Sequence, residues 1–281
     1  MEIADHINLE SRIQRYMDLS KFLHLLETSK MFLSKISSFD DKLEGGLTRL
    51  DSYILSGAMD FLDFMVNRSL PGFRKMEQKE YEEYQKENNR IKNEINAKKL
   101  STVFGEFKRG ECSDIYKRQR DWLDVCCWHK NEQESMAMWK IYGAGTNAVC
   151  IETTVQSLID SVRVIDGSKL YLSDVDYIDH EVDTFKCWHP LSPYLHKSKF
   201  YTFEQEIRLI KYQPLSDIRS CRVDLGSYLN VDLNGLIKVV RVSPEAPEWF
   251  FNLINDIVKH RYKLNADVIY SRMKQDPIFD L

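Results

Sequence analysis

In the run Phe203-Glu204-Gln205-Glu206-Ile207-Arg208-Leu209-Ile210, two carboxylates and a guanidinium recur at every second residue. Read as a strand, such a run sends successive side chains to opposite faces. Ile207 and Leu209 then turn one way, and Glu204, Glu206 and Arg208 the other. A strand that only packs has no need of three charges in register. Like charges held that close perturb each other's pKa values, and perturbed carboxylates are the equipment of acid–base and charge-stabilising chemistry. The plain alternative is a solvated face of an edge strand carrying Glu–Arg pairs.

Other chemistries find weaker support. Gly143-Ala144-Gly145 lacks a third glycine and follows a helical pattern, so it fails as a dinucleotide turn. No nucleophile elbow is present. Cys127-Trp128-His129 and Cys187-Trp188-His189 repeat a Cys-x-His pattern. If both were extended, Cys127, His129, Cys187 and His189 would offer a zinc ligand set, but structural zinc sites prefer wider spacing within each pair. We expect no metal. A thiol nucleophile at Cys126 or Cys127 lacks anything that would lower its pKa. The basic run Lys117-Arg118-Gln119-Arg120 reads as a solvated helix end rather than a phosphate contact.

These residues need a framework, and 281 residues are ample for a real core. A net charge of −4 gives no global drive toward nucleic acid or an anionic membrane. The acidic start Met1-Glu2-Ile3-Ala4-Asp5-His6 has no apolar leader, and no apolar run approaches a membrane span. Six thinly spread cysteines are not a disulfide framework, so a reducing cytoplasm is the expected location.

Asp18 or Ser20 is placed to cap a helix carrying Leu19, Phe22, Leu23 and Leu26, and Met31–Leu33 reads as a short strand. The acidic loop 37–46 ends in two glycines. Leu47, Leu50, Ile54, Ala58, Leu62, Met65 and Val66 then predict one long helix, broken at Pro71-Gly72. The segment 74–99 holds 8 Lys/Arg and 6 Glu with a narrow stripe of Tyr81, Tyr84, Ile91 and Ile95. It reads as an exposed helix within a charged helical insertion, 68–115.

From Trp122 the pattern changes to strands. Leu123, Val125, Cys127 and His129 share one face, and Asp124, Cys126 and Trp128 the other. Asn131 and Glu134 suggest a helix start ahead of Met138, Trp139 and Tyr142. Strands are expected at 148–153, 162–165, 169–178, 204–212, 221–225, 236–242 and 266–270, with a final helix over 248–262. Helices cluster early and strands late, which favours a single α+β domain over 1–281 with a mixed or antiparallel sheet.

Several pieces taken together resemble a known family. Arg15-Tyr16, Ser38-Phe39-Asp40-Asp41-Lys42-Leu43-Glu44-Gly45, Cys127-Trp128-His129 with Met138-Trp139, and the Glu204-Gln205-Glu206-Ile207-Arg208 run occur in this order. They resemble a widespread bacterial family of unknown function, whose loop reads Phe-Asn-Asp-Pro-Phe-Glu and whose late strand reads Glu-x-Glu-x-Arg. Here Asp40, Lys42 and Leu43 depart from that loop. More remotely, the order resembles the ADP-ribosyltransferase superfamily. That resemblance implies NAD as substrate, Glu206 and Glu204 as catalytic carboxylates, and Arg15, Tyr16, His129, Ser135, Tyr142 and Arg208 as cofactor-binding residues. Arg15 or Arg208 would pair with the pyrophosphate, and Tyr16 or Tyr142 would stack on nicotinamide. It also implies a toxin or defence effector acting on a protein or nucleic-acid acceptor. The other class of reading is a non-catalytic binding or regulatory module, in which the charged helix carries a protein partner.

Overall fold

The computed structural model describes residues 1–67, 77–143, 145–185 and 189–275. Among them, eleven strands form one mixed sheet whose layout turns on the strand Asp124–Lys130. Along one edge that strand pairs antiparallel with Glu206–Tyr212, from His129 opposite Glu206 to Asp124 opposite Lys211. Along the other edge it has two partners in turn. Val125 and Asp124 lie opposite Ser34 and Lys35 of the strand Lys30–Lys35. His129 and Lys130 lie opposite Gln14 and Ile13 of the strand Arg12–Asp18. Among the described residues Cys126, Cys127 and Trp128 have no strand partner on that side, so the sheet forks there.

One prong runs on from Arg12–Asp18 through Ala148–Thr154 and Val239–Val242 to Asp267–Tyr270. The other runs from Lys30–Lys35 through Gly226–Val231 to Val162–Arg163. Beyond Glu206–Tyr212 lie Lys169–Asp174 and Glu2–Ile3. Pairing is antiparallel except at the two ends of this path, where Glu2–Ile3 meets Tyr171–Leu172 and Val239–Val242 meets Asp267–Tyr270 in parallel.

The alternation of side chains sorts the sheet into two buried faces. Ile207, Leu209, Cys126, Trp128 and Leu172 join a core with Phe22, Leu25 and Leu26 of the helix Leu19–Thr28, and with Phe250 and Ile254 of the helix Glu248–Asp256. Val125, Tyr171 and Ile210 turn to the opposite face, where Ile115 and Tyr116 of the helix Cys112–Gln119 pack with Leu191 and Tyr194. Glu206 and Arg208 share the parity of Ile210, so their charges are driven into this second face. Asp18 caps the first helix, accepting from the Lys21 amide at 2.8 Å, a contact worth about 1 kcal/mol.

Several expectations from the sequence are corrected. The strand Glu206–Tyr212 is internal, flanked on both sides, with Glu206 through Lys211 all buried, so its polar residues are no solvated edge. Strands do not gather late: Arg12–Asp18 sits in mid-sheet. The long early helix is two, Arg49–Ser56 and Ala58–Asn67. Gly57 divides them at φ +83°, and a Cβ there would lie 2.4 Å from Ile95 Cγ2. Its apolar stripe is not buried either: Leu50, Ile54, Leu62 and Val66 are exposed. Pro71-Gly72 lies outside the described residues. No strand forms over 221–225, where Val223 and Leu225 are exposed; pairing begins at Gly226. Ser135, not Asn131, caps the helix Met136–Tyr142. Leu233–Leu236 is a helical turn ahead of Val239–Val242. The charged segment is helical over Gln78–Ala97, and only its Ile95 is buried. No described helix is long and apolar enough to cross a membrane.

Candidate active site

The fork opens into a cleft of about 900 Å³, within the size range of small-molecule sites. The unpaired edge at Cys127 and Trp128 forms part of its wall, with Arg15 on one prong and Phe32 on the other. Its lining is rich in charge: Asp40, Asp41, Glu44, Glu204 and Glu206 supply carboxylates, and Arg15, Lys21, Lys30 and Lys197 supply cations.

The carboxylates are held in a buried ionic cluster. Gln205 adopts a left-handed backbone (φ 41°) that ends the 3₁₀ turn Lys199–Glu204 and starts the strand at Glu206. A side chain in this region costs about 1–2 kcal/mol, and such backbone strain concentrates at functional sites. Gln205 is fixed from both sides: its carbonyl accepts from Lys130 N at 2.8 Å, and its Oε1 from Asn131 Nδ2 at 2.7 Å. Glu204 is therefore not a ladder residue, yet its carboxylate still meets that of Glu206 on one cation. Lys197 Nζ donates to Glu206 Oε1 at 3.1 Å and to Glu204 Oε2. Arg208 Nε donates to Glu206 Oε2 at 2.7 Å, and its Nη1 lies 2.5 Å from Glu44 Oε1. Tyr142 donates its hydroxyl to Glu204 Oε1 at 2.8 Å. Glu44, Lys197, Glu204, Glu206 and Arg208 are each at most 6% exposed.

Environment pushes the two carboxylates apart. Burial raises Glu204, and the neighbouring Glu206 carboxylate raises it further, to about 7. Burial also acts on Glu206, but the charges of Arg208 and Lys197 outweigh it and hold Glu206 down at about 2. At neutral pH one member of the pair is ionised and the other is poised to exchange a proton, the division of labour seen wherever two carboxyls do different jobs. Lys197 would lose its proton by burial, but the carboxylates around it keep it charged.

His129 lies directly across from Glu206. Its Nδ1 is 2.6 Å from the Glu204 carbonyl oxygen, which can only accept, so the proton sits on Nδ1. Burial lowers the ring's pKa and keeps it neutral. Nε2 is thus a bare acceptor, buried and without a hydrogen-bond partner among the described residues, on a ring that lines the cleft.

The other residues singled out by sequence divide. Arg15 lines the cleft half-buried, donates to the Phe32 carbonyl at 3.3 Å across the fork, and lies 6.0 Å from the Trp128 ring. It has no carboxylate partner among the described residues. Tyr142 lines the cleft beside Glu204. Tyr16 is buried in the wall: its hydroxyl donates to Gln14 Oε1 at 2.6 Å and accepts from Ser135 N at 3.0 Å, and its ring meets Trp139 edge-on. Ser135 is a helix cap outside the cleft lining. Arg208 has no exposed surface, and Glu44, Glu206 and the Tyr194 carbonyl occupy its guanidinium, leaving nothing for a pyrophosphate.

His189 stacks on Tyr171 at 4.5 Å, and Cys187 lies outside the described residues. Among the described residues no group of three His, Cys, Asp or Glu side chains is arranged to hold a metal ion. Burial raises the thiols of Cys126 and Cys127, the opposite of nucleophile activation.

Two members of the site had no sequence signal as site residues. Lys197 sits in a short polar strand, His196–Ser198, and lysine is rarely buried. Glu44 stood in the loop that carries the family resemblance, but with no site role given to it.

No family model matches this chain, and no curated protein matches it, so the bacterial family suggested by its motifs is without a matching model. Among solved structures the chain is similar to Thermus sp. 2.9 DarT in complex with ADP-ribosylated ssDNA, at 8% identity and a TM-score of 0.37, over 94% of this chain and 95% of that one. The functional reading therefore rests on the geometry of the cleft.

Proposed function

We propose that this protein is an NAD-dependent ADP-ribosyltransferase-like enzyme that breaks the nicotinamide–ribose bond and passes ADP-ribose to a protein or nucleic-acid acceptor. The observation that carries the reading is the Glu204–Glu206 pair, with opposite charge preferences, in the cleft of a forked sheet.

Cleavage of that bond sends its electron pair to the departing nicotinamide and builds positive charge on the ribose. An ionised Glu206 is suited to stabilise that charge, as carboxylates do in glycoside cleavage. Glu204 in its ionised form is suited to take the proton released by an attacking hydroxyl or amine. His129 Nε2 offers an acceptor for a sugar hydroxyl. Arg15, without a counter-ion among the described residues, suits a pyrophosphate. Action as a toxin or defence effector in a cytoplasm belongs to the same reading.

Incubation of purified protein with NAD, alone and with cell extract, tests this by mass spectrometry of released nicotinamide. The expected result is release that Glu206→Gln abolishes; equal release from that variant would refute the assignment.

A separate observation favours a second reading, a protein-binding module. Leu50, Ile54, Leu62 and Val66 expose an apolar stripe next to the charged helix Gln78–Ala97. On this reading, deleting that helix abolishes function while the carboxylate pair is dispensable.

A further inference from the structure

We infer that Lys197 is a positioning residue that sets how many protons the carboxylate pair retains. Glu44, Glu204 and Glu206 stand against Lys197 and Arg208 in direct contact, so full ionisation leaves one surplus negative charge in a buried space. An uncompensated buried charge is costly, and the cheapest remedy is to retain one proton.

Geometry selects the carboxylate that retains it. Glu206 faces both cations, Arg208 at 2.7 Å and Lys197 at 3.1 Å. Glu44 faces Arg208 at 2.5 Å and Lys197 at 3.8 Å. Among the described residues the one cation that Glu204 meets is Lys197, and its other oxygen accepts from Tyr142. Other titratable groups face the cluster: burial lowers His129 and His180 and raises Cys127 and Tyr177, whose hydroxyl accepts from Glu206 N at 2.9 Å, and the Tyr201 ring lies 4.6 Å from Lys197 Nζ. Among the described residues Lys197 is thus the one cation shared by both members of the pair, and Arg208 reaches only Glu206.

Without Lys197 the surplus grows to two. Glu206, left with Arg208 alone, then holds its proton to a higher pH, and the range in which the group suited to stabilising ribose charge is ionised narrows from the acid side. Arginine at 197 keeps the count and has enough donors to reach both carboxylates.

The test is a ¹³C NMR titration of glutamate carboxyls in NAD-free protein, assigned with Glu204→Gln and Glu206→Gln. Lys197→Met is expected to move the Glu206 midpoint up by about 1–3 pH units, the usual effect of an opposite charge at this range. Lys197→Arg should restore most of the shift. An unmoved Glu206 midpoint in folded Lys197→Met protein would overturn the assignment. Should that variant not fold, the wild-type titration decides: Glu204 near neutral with Glu206 far below supports the charge count, and two midpoints in the ordinary carboxylate range contradict it. The role of Lys197 in catalysis rests on the proposed activity, but this readout does not. A titration shift with no nicotinamide release would leave the assignment standing and defeat the transferase reading. With release, the acidic limb of the rate profile should rise in parallel in Lys197→Met.

Discussion

On the prong away from the carboxylate pair, Arg12, Glu134, Glu152 and Arg241 form a second buried ion cluster, and its arithmetic differs. Arg12 Nη2 lies 2.5 Å from Glu152 Oε2, Arg241 Nε donates to Glu152, and Arg241 Nη1 lies 3.4 Å from Glu134 Oε1. Glu134 also accepts from Trp139 Nε1 at 3.0 Å and Arg272 N at 2.9 Å. Two cations meet two carboxylates, none of the four lines the cleft, and the cluster ties three adjacent strands to the helix Met136–Tyr142. The cluster at the cleft has three carboxylates for two cations, and both members of its pair line the cavity. A balanced buried cluster fastens a fold. An unbalanced one beside an open cavity holds a proton that it can exchange.

Removing a carboxylate should therefore act in opposite ways in the two places. Glu152→Gln leaves two guanidinium groups facing one carboxylate and should cost about 3–5 kcal/mol in chemical denaturation. Glu206→Gln leaves a balanced two-against-two cluster, so it should cost under about 1 kcal/mol while lowering the rate of nicotinamide release by about 10²–10³-fold. Equal destabilisation by both variants would erase the distinction.

The pH dependence of stability separates the clusters next. Glu204 has a folded pKa of about 7, above its ordinary 4.5, so its stabilising contribution is present below 4.5 and lost as pH rises through 7. Glu206, held at about 2, contributes above 4.5 and loses that contribution as pH falls toward 2. Glu204→Gln should then be more stable than wild type above pH 7 by roughly 1–3 kcal/mol, with the gap closing below pH 5. A gap independent of pH would argue against a retained proton.

Two smaller effects sharpen the picture. Arg15→Met, which breaks no ion pair among the described residues, should weaken NAD binding by about 1.5–3 kcal/mol in calorimetry and leave the unfolding midpoint in place. Gln205→Gly, which removes left-handed strain but also a hydrogen bond to Asn131, should change stability by no more than about 1 kcal/mol.

How much of this was legible in sequence depends on range. The alternation of Ile207 and Leu209 against Glu206 and Arg208, and of Cys126 and Trp128 against Val125 and Cys127, is local, and the two faces read from it are those of the structure. Glu204 joins its partner through a backbone turn at Gln205, where glutamine gives no warning of positive φ. The fork depends on a strand that changes partner at Cys126, a long-range event without a local pattern. Lys197 was unreadable because its burial is created by carboxylates distant in sequence or separated from it by a turn. The early amphipathic stripe misled because apolar spacing at Leu50, Ile54 and Leu62 specifies a helix face and not what covers it.

The most direct measurement is a structure of the Glu206→Gln variant soaked with NAD. The account predicts the nicotinamide-side ribose within hydrogen-bond reach of residue 206 and His129 Nε2, with the pyrophosphate at Arg15. NAD bound elsewhere, or a cleft still empty at saturating NAD, would contradict it.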